Sequence, residues 1–385
     1  MEVKQIASII NGVTHEVLGA EAITTEDLSN IVDIGTAVFN ANAVDNYVRS
    51  LVDHIGKVVF VDHKYSGSAP SVLMDGWEFG AVLEKITMSE LPEATENESW
   101  ELTDGASYDP NIFYQPKVEA KFFSKRVTFE IPMSFTEKQM KSAFSNATQM
   151  NAFVSMIYNA IDNSLTVKID ALIMRTINNM IGETVYADYG ATSLDASSGI
   201  KAVNLLYKYN QQFTQSLTAD EALTTPEFIR YASREIGLYK SRLTRISKLF
   251  NIGGKERFTP DDRLHLILLN DFARSADAYL QADTYHDEFT RLPQAELVPY
   301  WQGSGTGYDF SDVSNVDIKT ASGQTVDIDG VLGVMFDRDA LGVSNVDRRV
   351  TTNWNPKGEF WNNWYKFDAG YFNDTNENFI VFFVA

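Results

Sequence analysis

The sequence predicts an α+β protein of two or three folding units, and three observations carry the prediction. Residues 133–181 contain no glycine or proline and repeat apolar residues at helical spacing. Residues 65–131 alternate short apolar stretches with turn residues, acidic in the first half and basic in the second, as a long two-stranded hairpin would. The C-terminal region, from Val331 on, reads as strands. At 385 residues the chain can bury cores that need no covalent staples, and it has none, because it contains no cysteine.

Residues 1–43 are mixed, with Gly12, Gly19 and Gly35 interrupting weak helical patterns, and read as an arm. Val44, Tyr47, Val48, Leu51, Val52 and Ile55 then form one apolar stripe at i, i+3, i+4, i+7, i+8 and i+11. Gly56 is placed to stop this helix, and Val58 to Val61 is expected to follow as a buried strand. After Lys85 no Lys or Arg occurs until Lys117, while Glu90, Glu93, Glu96, Glu98, Glu101, Asp104 and Asp109 accumulate. Such a block normally marks a solvated loop, yet it carries Trp100, Tyr108, Phe113 and Tyr114. Val118 to Ile131 reads as one basic-edged strand with Lys117, Lys121, Lys125 and Arg126. A lone hairpin is marginally stable in water, so this one needs a surface to lie on.

Phe153, Met156, Ile157, Ala160, Ile161, Leu165, Ile169, Leu172, Ile173, Ile177 and Met180 share one face of a long helix that Gly182 is expected to end. From Thr148 to Ile181 it would run roughly 50 Å at 1.5 Å per residue, a spine for a sheet. The alternative is two helices broken near Asn163-Ser164. A second helix starts at Thr225-Pro226-Glu227, with Thr225 as N-cap, and is expected to reach Gly253-Gly254. It carries Arg230, Arg234, Lys240, Arg242, Arg245 and Lys248, a basic face on an acidic protein. Leu264 to Leu269 reads as a buried strand, Asp271 to Leu280 as a helix, and 303–330 as short strands in a Gly, Ser, Asp and Thr rich stretch. Val331 to Phe336, Glu359 to Tyr371 and Phe379 to Val384 read as strands, with a turn at Asn355 to Gly358. Trp361, Tyr365, Phe367, Ala369 and Tyr371 are expected on one face.

Charge and residue usage exclude several functions. With 52 acidic against 32 basic side chains, the net charge of −20 argues against a protein that grips nucleic-acid phosphates. The absence of cysteine removes thiolate metal sites and Cys nucleophiles. Neither a basic leader nor an apolar run of about 20 residues is present, so a soluble, cytoplasmically made chain with no membrane partner is expected. Gly303, Gly305 and Gly307 lack the dinucleotide-loop spacing, and Gly253-Gly254-Lys255 lacks the rest of a phosphate loop. His54 and His63 do not converge, His265 reads as a hydrogen-bonded strand residue, and His286 has no nucleophile motif to serve. Trp354, Trp361 and Trp364 could form a sugar-stacking platform, but their alternation favours core or interface. No catalytic, metal or cofactor site is expected.

Four segments carry a resemblance in the same order: Asn46-Tyr-Val-Arg-Ser-Leu-Val-Asp-His-Ile-Gly56, Phe153-Val-Ser-Met-Ile-Tyr-Asn-Ala-Ile161, Leu264-His-Leu-Ile267 and Asn355-Pro-Lys-Gly-Glu-Phe-Trp361. With the order hairpin, spine helix, α/β region and returning strands, the chain resembles tailed-phage major capsid proteins of the Hong Kong 97-type fold, most closely the phi-29 group of short-tailed phages. The resemblance implies an N-terminal arm (1–43), an extended loop (65–131), a peripheral domain with the spine helix (44–64, 132–200 and 345–385) and an axial domain (201–344). It implies a non-enzymatic shell subunit, assembled in the host cytoplasm into pentamers and hexamers that enclose double-stranded DNA, with a portal at one vertex. Because the chain ends at Ala385 and its arm is short, no decoration domain and a separate scaffolding protein are expected. Lys117, Lys121 and Lys125 match no crosslinking pattern. Candidate inter-subunit residues are Trp100, Tyr108, Phe113, Tyr114, Lys117, Lys121 and Arg126 of the hairpin, and Arg234, Arg242 and Arg245 of the basic helix. The rival functions are a bacterial encapsulin-type compartment, and a carbohydrate-binding or hydrolytic protein.

Overall fold

The stretch without glycine or proline folds as one continuous helix, Ala147–Tyr189, in a mixed helix-and-sheet protein seen in a computed structural model. The structure describes residues 3–19, 25, 27–41, 43–62, 69, 72–74, 83–88, 90–94, 96, 103–107, 109–190, 192–281, 293–301, 309–320 and 323–385. The N-terminal elements are α1 (Val3–Leu18), α2 (Ile31–Asn40), α3 (Val44–Asp62), β1 (Leu73–Met74), β2 (Leu83–Met88), β3 (Val118–Phe123), β4 (Arg126–Thr136), α4 (Glu137–Ala143) and α5 (Ala147–Tyr189). The central ones are β5 (Ala202–Asn204), α6 (Leu205–Phe213), α7 (Ala219–Ala222), α8 (Pro226–Leu243), β6 (Leu264–Leu269), α9 (Asn270–Gln281) and β7 (Glu296–Val298). The C-terminal ones are α10 (Phe310–Ser314), β8 (Val316–Lys319), β9 (Thr325–Ile328), β10 (Val331–Asp337), β11 (Leu341–Asn355), β12 (Phe360–Asn373) and β13 (Phe379–Phe383).

The chain divides into two units, the first comprising Met1–Gly80, Arg126–Ile173 and Val343–Gly370. Here α1 buries Ile6, Ile10 and Val13, and α3 buries Tyr47, Val48, Leu51 and Val52. Gly35 of α2 lets the ring of Phe144 come against the helix backbone, where a Cβ would lie 2.6 Å from Phe144 Cβ. Val58 to Val61 is helical rather than a strand, and Gly56 does not end α3. A mid-helix glycine costs only about 1 kcal/mol, which a helix running from Val44 to Asp62 tolerates. The sheet of this unit has the order β1-β11-β12-β4. Strands β12 and β4 pair from Phe360↔Thr136 to Gly370↔Arg126. Trp361, Tyr365, Phe367 and Ala369 are buried on one face as expected, but Tyr371 is not, because the burial phase shifts at Gly370, where pairing with β4 ends. The turn before β12 is closed by Asn355, whose Oδ1 accepts from the amides of Lys357 and Gly358.

The second unit comprises Ala81–Lys125, Met174–Gly342 and Tyr371–Ala385. Its five-stranded sheet has the order β5-β13-β10-β6-β7, with β10 and β13 buried along their whole length. On one face Ile380, Phe382, Leu332 and Met335 pack with Phe228, Ile236 and Tyr239 of α8 and Phe272 of α9. On the other, Phe383 meets Tyr189 at the end of α5, with ring centroids 5.9 Å apart. Burial pushes the Tyr189 phenol up to about 12. Gly182 does not stop α5; it makes room for the β8–β9 hairpin, because a Cβ there would meet Ile318 Cγ2 at 2.8 Å.

Three further expectations are corrected. Val118 to Ile131 is two strands, since β3 pairs with β2 and β4 pairs with β12. The basic helix ends at Leu243, not at Gly253-Gly254. The Ser247 amide, which would extend it, donates instead to Arg257 O, and the Leu243 carbonyl accepts from Thr259. Thr225 precedes Pro226 as expected but does not cap through its side chain; its hydroxyl donates to Glu221 O.

Candidate interaction surface

The β2–β3 ribbon is antiparallel, with register from Leu83↔Phe123 to Met88↔Val118. Alternation along Leu83–Met88 and Val118–Phe123 puts Leu83, Lys85, Thr87, Glu119, Lys121 and Phe123 on the partly buried face. The exposed face holds Ile86, Met88, Val118, Ala120 and Phe122, with Glu84 as its one charge. Beyond the apolar Leu83–Phe123 pair at its root, the usual arrangement, apolar face in and polar face out, is therefore reversed along the ribbon.

The inward charges each have an ion-pair partner within the second unit. Asp374 accepts from Lys85 at 2.9 Å and from Lys121 at 2.8 Å. Glu377 accepts from Lys85 at 2.7 Å and faces Arg257 at 3.4 Å, while Lys255 pairs with Glu119 at 2.8 Å. Burial works to raise the Asp374 carboxyl, but hydrogen bonds from Lys121 and Lys85 and the Lys85 charge outweigh it and hold the group below the usual carboxylate range. Lys121, a candidate from the sequence, thus has its partner inside its own chain.

Between the strands, the described residues of the acidic block, 90–94, 96, 103–107 and 109–117, form no strand. Every described residue from Glu90 to Val118 is exposed. Phe113 and Tyr114 are 83% and 81% exposed, a large apolar area for a chain to leave in water. Lys117 pairs with Glu90 at 2.7 Å across the neck of the connection. Beside that pair is a cleft of about 540 Å³ lined by Met88, Leu91, Pro92, Tyr114 and Pro116. Trp100 and Tyr108 lie outside the described residues.

Arg126 is exposed at the start of β4. On α8 and just beyond it, Arg234, Arg242 and Arg245 are exposed. Arg234 pairs with Glu235 at 3.1 Å, and Arg242 lies 4.9 Å from the centre of the Tyr239 ring. Nearby, Ile246 and Phe258, each next in sequence to one partner of the antiparallel Ser247↔Arg257 bridge, are more than half exposed among these cations.

The other candidates do not form a site. No group of metal-ligating side chains occurs among the described residues. His54 Nδ1 lies 2.9 Å from its own helix's Ser50 O. His265 lies in β6 as expected, but its Nε2 has no hydrogen-bond partner among the described residues. His63, His286 and Gly303 to Gly307 lie outside the described residues. The tryptophans cannot make one platform: Trp361 is buried and donates to Asp45 at 2.8 Å, while Trp364 is on the opposite face of β12. Sequence reasoning missed Ile86, Met88, Val118 and Phe122. Their alternation was legible, but which side would be covered depends on Asp374 and Glu377, which hold Lys121 and Lys85 from 253 to 292 residues away.

A family model for Phi29-like phage major capsid proteins matches residues 6–383. The major capsid protein of Bacillus phage GA-1 is 25% identical over 202 residues, which span 50% of this chain and 40% of that protein. Among solved structures, the capsid of Staphylococcus phage Andhra matches with a TM-score of 0.50 at 9% identity, covering 84% of this chain and 86% of that one. The capsid of cyanophage P-SCSP1u matches at 0.47 and 9%, covering 84% and 89%. The Andhra likeness speaks for the fold, and the family match over nearly the whole sequence for descent. The chain belongs to the Phi29-like phage major capsid protein family.

Proposed function

We propose that this chain is the shell subunit of a tailed-phage head, self-assembling through pentamers and hexamers into an icosahedral container for double-stranded DNA. The observation that carries the reading is the reversed β2–β3 ribbon, which turns Ile86, Met88, Val118 and Phe122 outward and leads into the exposed Phe113 and Tyr114. Apolar area of this kind is stabilised by burial against a partner, and in a shell protein the abundant partner is a second copy. In Hong Kong 97-type terms, 65–131 is the extended loop, α5 the spine of the peripheral domain, 201–344 the axial domain and 1–43 the arm. The arginines near α8 offer a cationic face to an acidic neighbour, which would fix orientation more than affinity. The net charge of −20 suits a wall that encloses DNA without gripping it. A scaffolding partner and a portal at one vertex complete the assembly that the resemblance implies.

Deleting residues 104–109 of the connection tests this. The expected result is soluble, folded subunits that form no shells in electron micrographs; normal shells from the deletion overturn the reading. Purified wild-type particles should contain DNA, whereas protein cargo without DNA would favour the encapsulin-type alternative.

A further inference from the structure

A two-stranded ribbon with one apolar and one charged face is expected to lie apolar side down, because that buries area without desolvating charge. Here the charged side is down. Phe123, at the root of the ribbon, packs against Phe372 with ring centroids 5.0 Å apart, but the inner positions beyond the Leu83–Phe123 pair are Lys85, Thr87, Glu119 and Lys121. Lys85 and Lys121 stand directly opposite each other across the ladder, a pairing that repels.

We propose that Asp374 is an electrostatic latch: it holds the β2–β3 ribbon charged side in, against the ribbon's own amphipathic preference, and its loss frees the ribbon while the rest of the unit stays folded. One carboxylate bridges both strands, Oδ2 to Lys85 and Oδ1 to Lys121. It is 2% exposed and cannot swing away, because Oδ1 also accepts the Asn376 amide at 3.0 Å and its own amide donates to Ala340 O at 2.6 Å. The surrounding charges do not replace it. Glu377 is shared between Lys85 and Arg257, Glu119 is engaged by Lys255, and Asp339 is paired with Arg263 while its carbonyl accepts from Lys85 at 3.3 Å. Without Asp374, Lys121 faces Lys85 with no carboxylate between them. Because the Asp374 carboxyl is held low, the latch is complete at neutral pH and is lost only as pH falls through that lowered value. The inference concerns the single subunit and stands apart from shell formation.

Hydrogen exchange read by mass spectrometry on the full-length subunit tests it. In Asp374→Asn, peptides covering 83–88 and 118–123 should exchange at least about tenfold faster, while β10 and β13 keep their protection. Acylation of Lys85 and Lys121 by an amine-reactive ester should rise in parallel. Adding Lys121→Met removes the cross-strand repulsion, so the double variant should exchange more slowly than Asp374→Asn alone. Unchanged ribbon exchange in Asp374→Asn overturns the latch. So does loss of β10 and β13 protection together with the ribbon, or a double variant no slower than the single.

Discussion

Gly182 and Ile318 share a space that one more methyl group would overfill, for a Cβ on Gly182 would lie 2.8 Å from Ile318 Cγ2. The glycine sits inside α5, where helix propensity alone would favour alanine by about 1 kcal/mol. Overpacking costs about 1–3 kcal/mol and outweighs that gain. Gly182→Ala should therefore lower stability in urea titrations. Gly237, inside α8 with nothing within 4 Å of its would-be Cβ, is the control. Gly237→Ala should raise stability by about 0.5–1 kcal/mol.

Buried polar groups on one strand should respond in opposite directions. Tyr365 is fully buried, its hydroxyl has no partner among the described residues, and burial pushes its phenol far up. Tyr365→Phe removes an unpaired group and should leave stability unchanged or raise it by about 1 kcal/mol. Trp361→Phe instead breaks the 2.8 Å bond to Asp45 and empties part of a packed site. It should cost about 2 kcal/mol by thermal or chemical denaturation.

His265 gives stability a pH dependence of predictable sign. Burial beside Phe336 lowers its pKa, with Arg338 acting in the same direction and Glu296 and Asp337 opposing. Below about pH 6.5 the unfolded chain then takes up the proton more readily than the folded one. Stability should fall as pH drops through that range and level off once the folded form is protonated as well. His265→Leu should flatten this segment of the curve in denaturation series between pH 7.5 and 5.

Phe113 and Tyr114 separate folding from assembly. Both are more than four-fifths exposed, so Phe113→Ser with Tyr114→Ser should change subunit stability by less than about 0.5 kcal/mol. If they seat on a neighbouring copy, the same variant should need a several-fold higher subunit concentration to give light-scattering particles. Unchanged assembly would remove them from the interface.

What the sequence determined by itself is what short-range periodicity encodes. The apolar stripes of α3, α5 and α8, the buried run of β6 and the alternation of β12 were legible because each depends on neighbours within a turn or a strand. The four ordered segments likewise pointed to a capsid protein, while the net charge by itself only argued against a protein that grips nucleic acid. Tertiary structure decided where those patterns stop and which side they turn inward. Gly56 and Gly182 look like helix ends locally, yet α3 and α5 run through them, and at Gly182 the glycine serves the close approach of Ile318 rather than a helix end. Val118 to Ile131 reads as one strand, yet it divides because β2 and β12 each take part of it. The ribbon's two faces were visible as alternation, but two carboxylates on a remote loop chose the charged one for the inside. Burial of a charge depends on its partner, and that partner is brought near only by the fold.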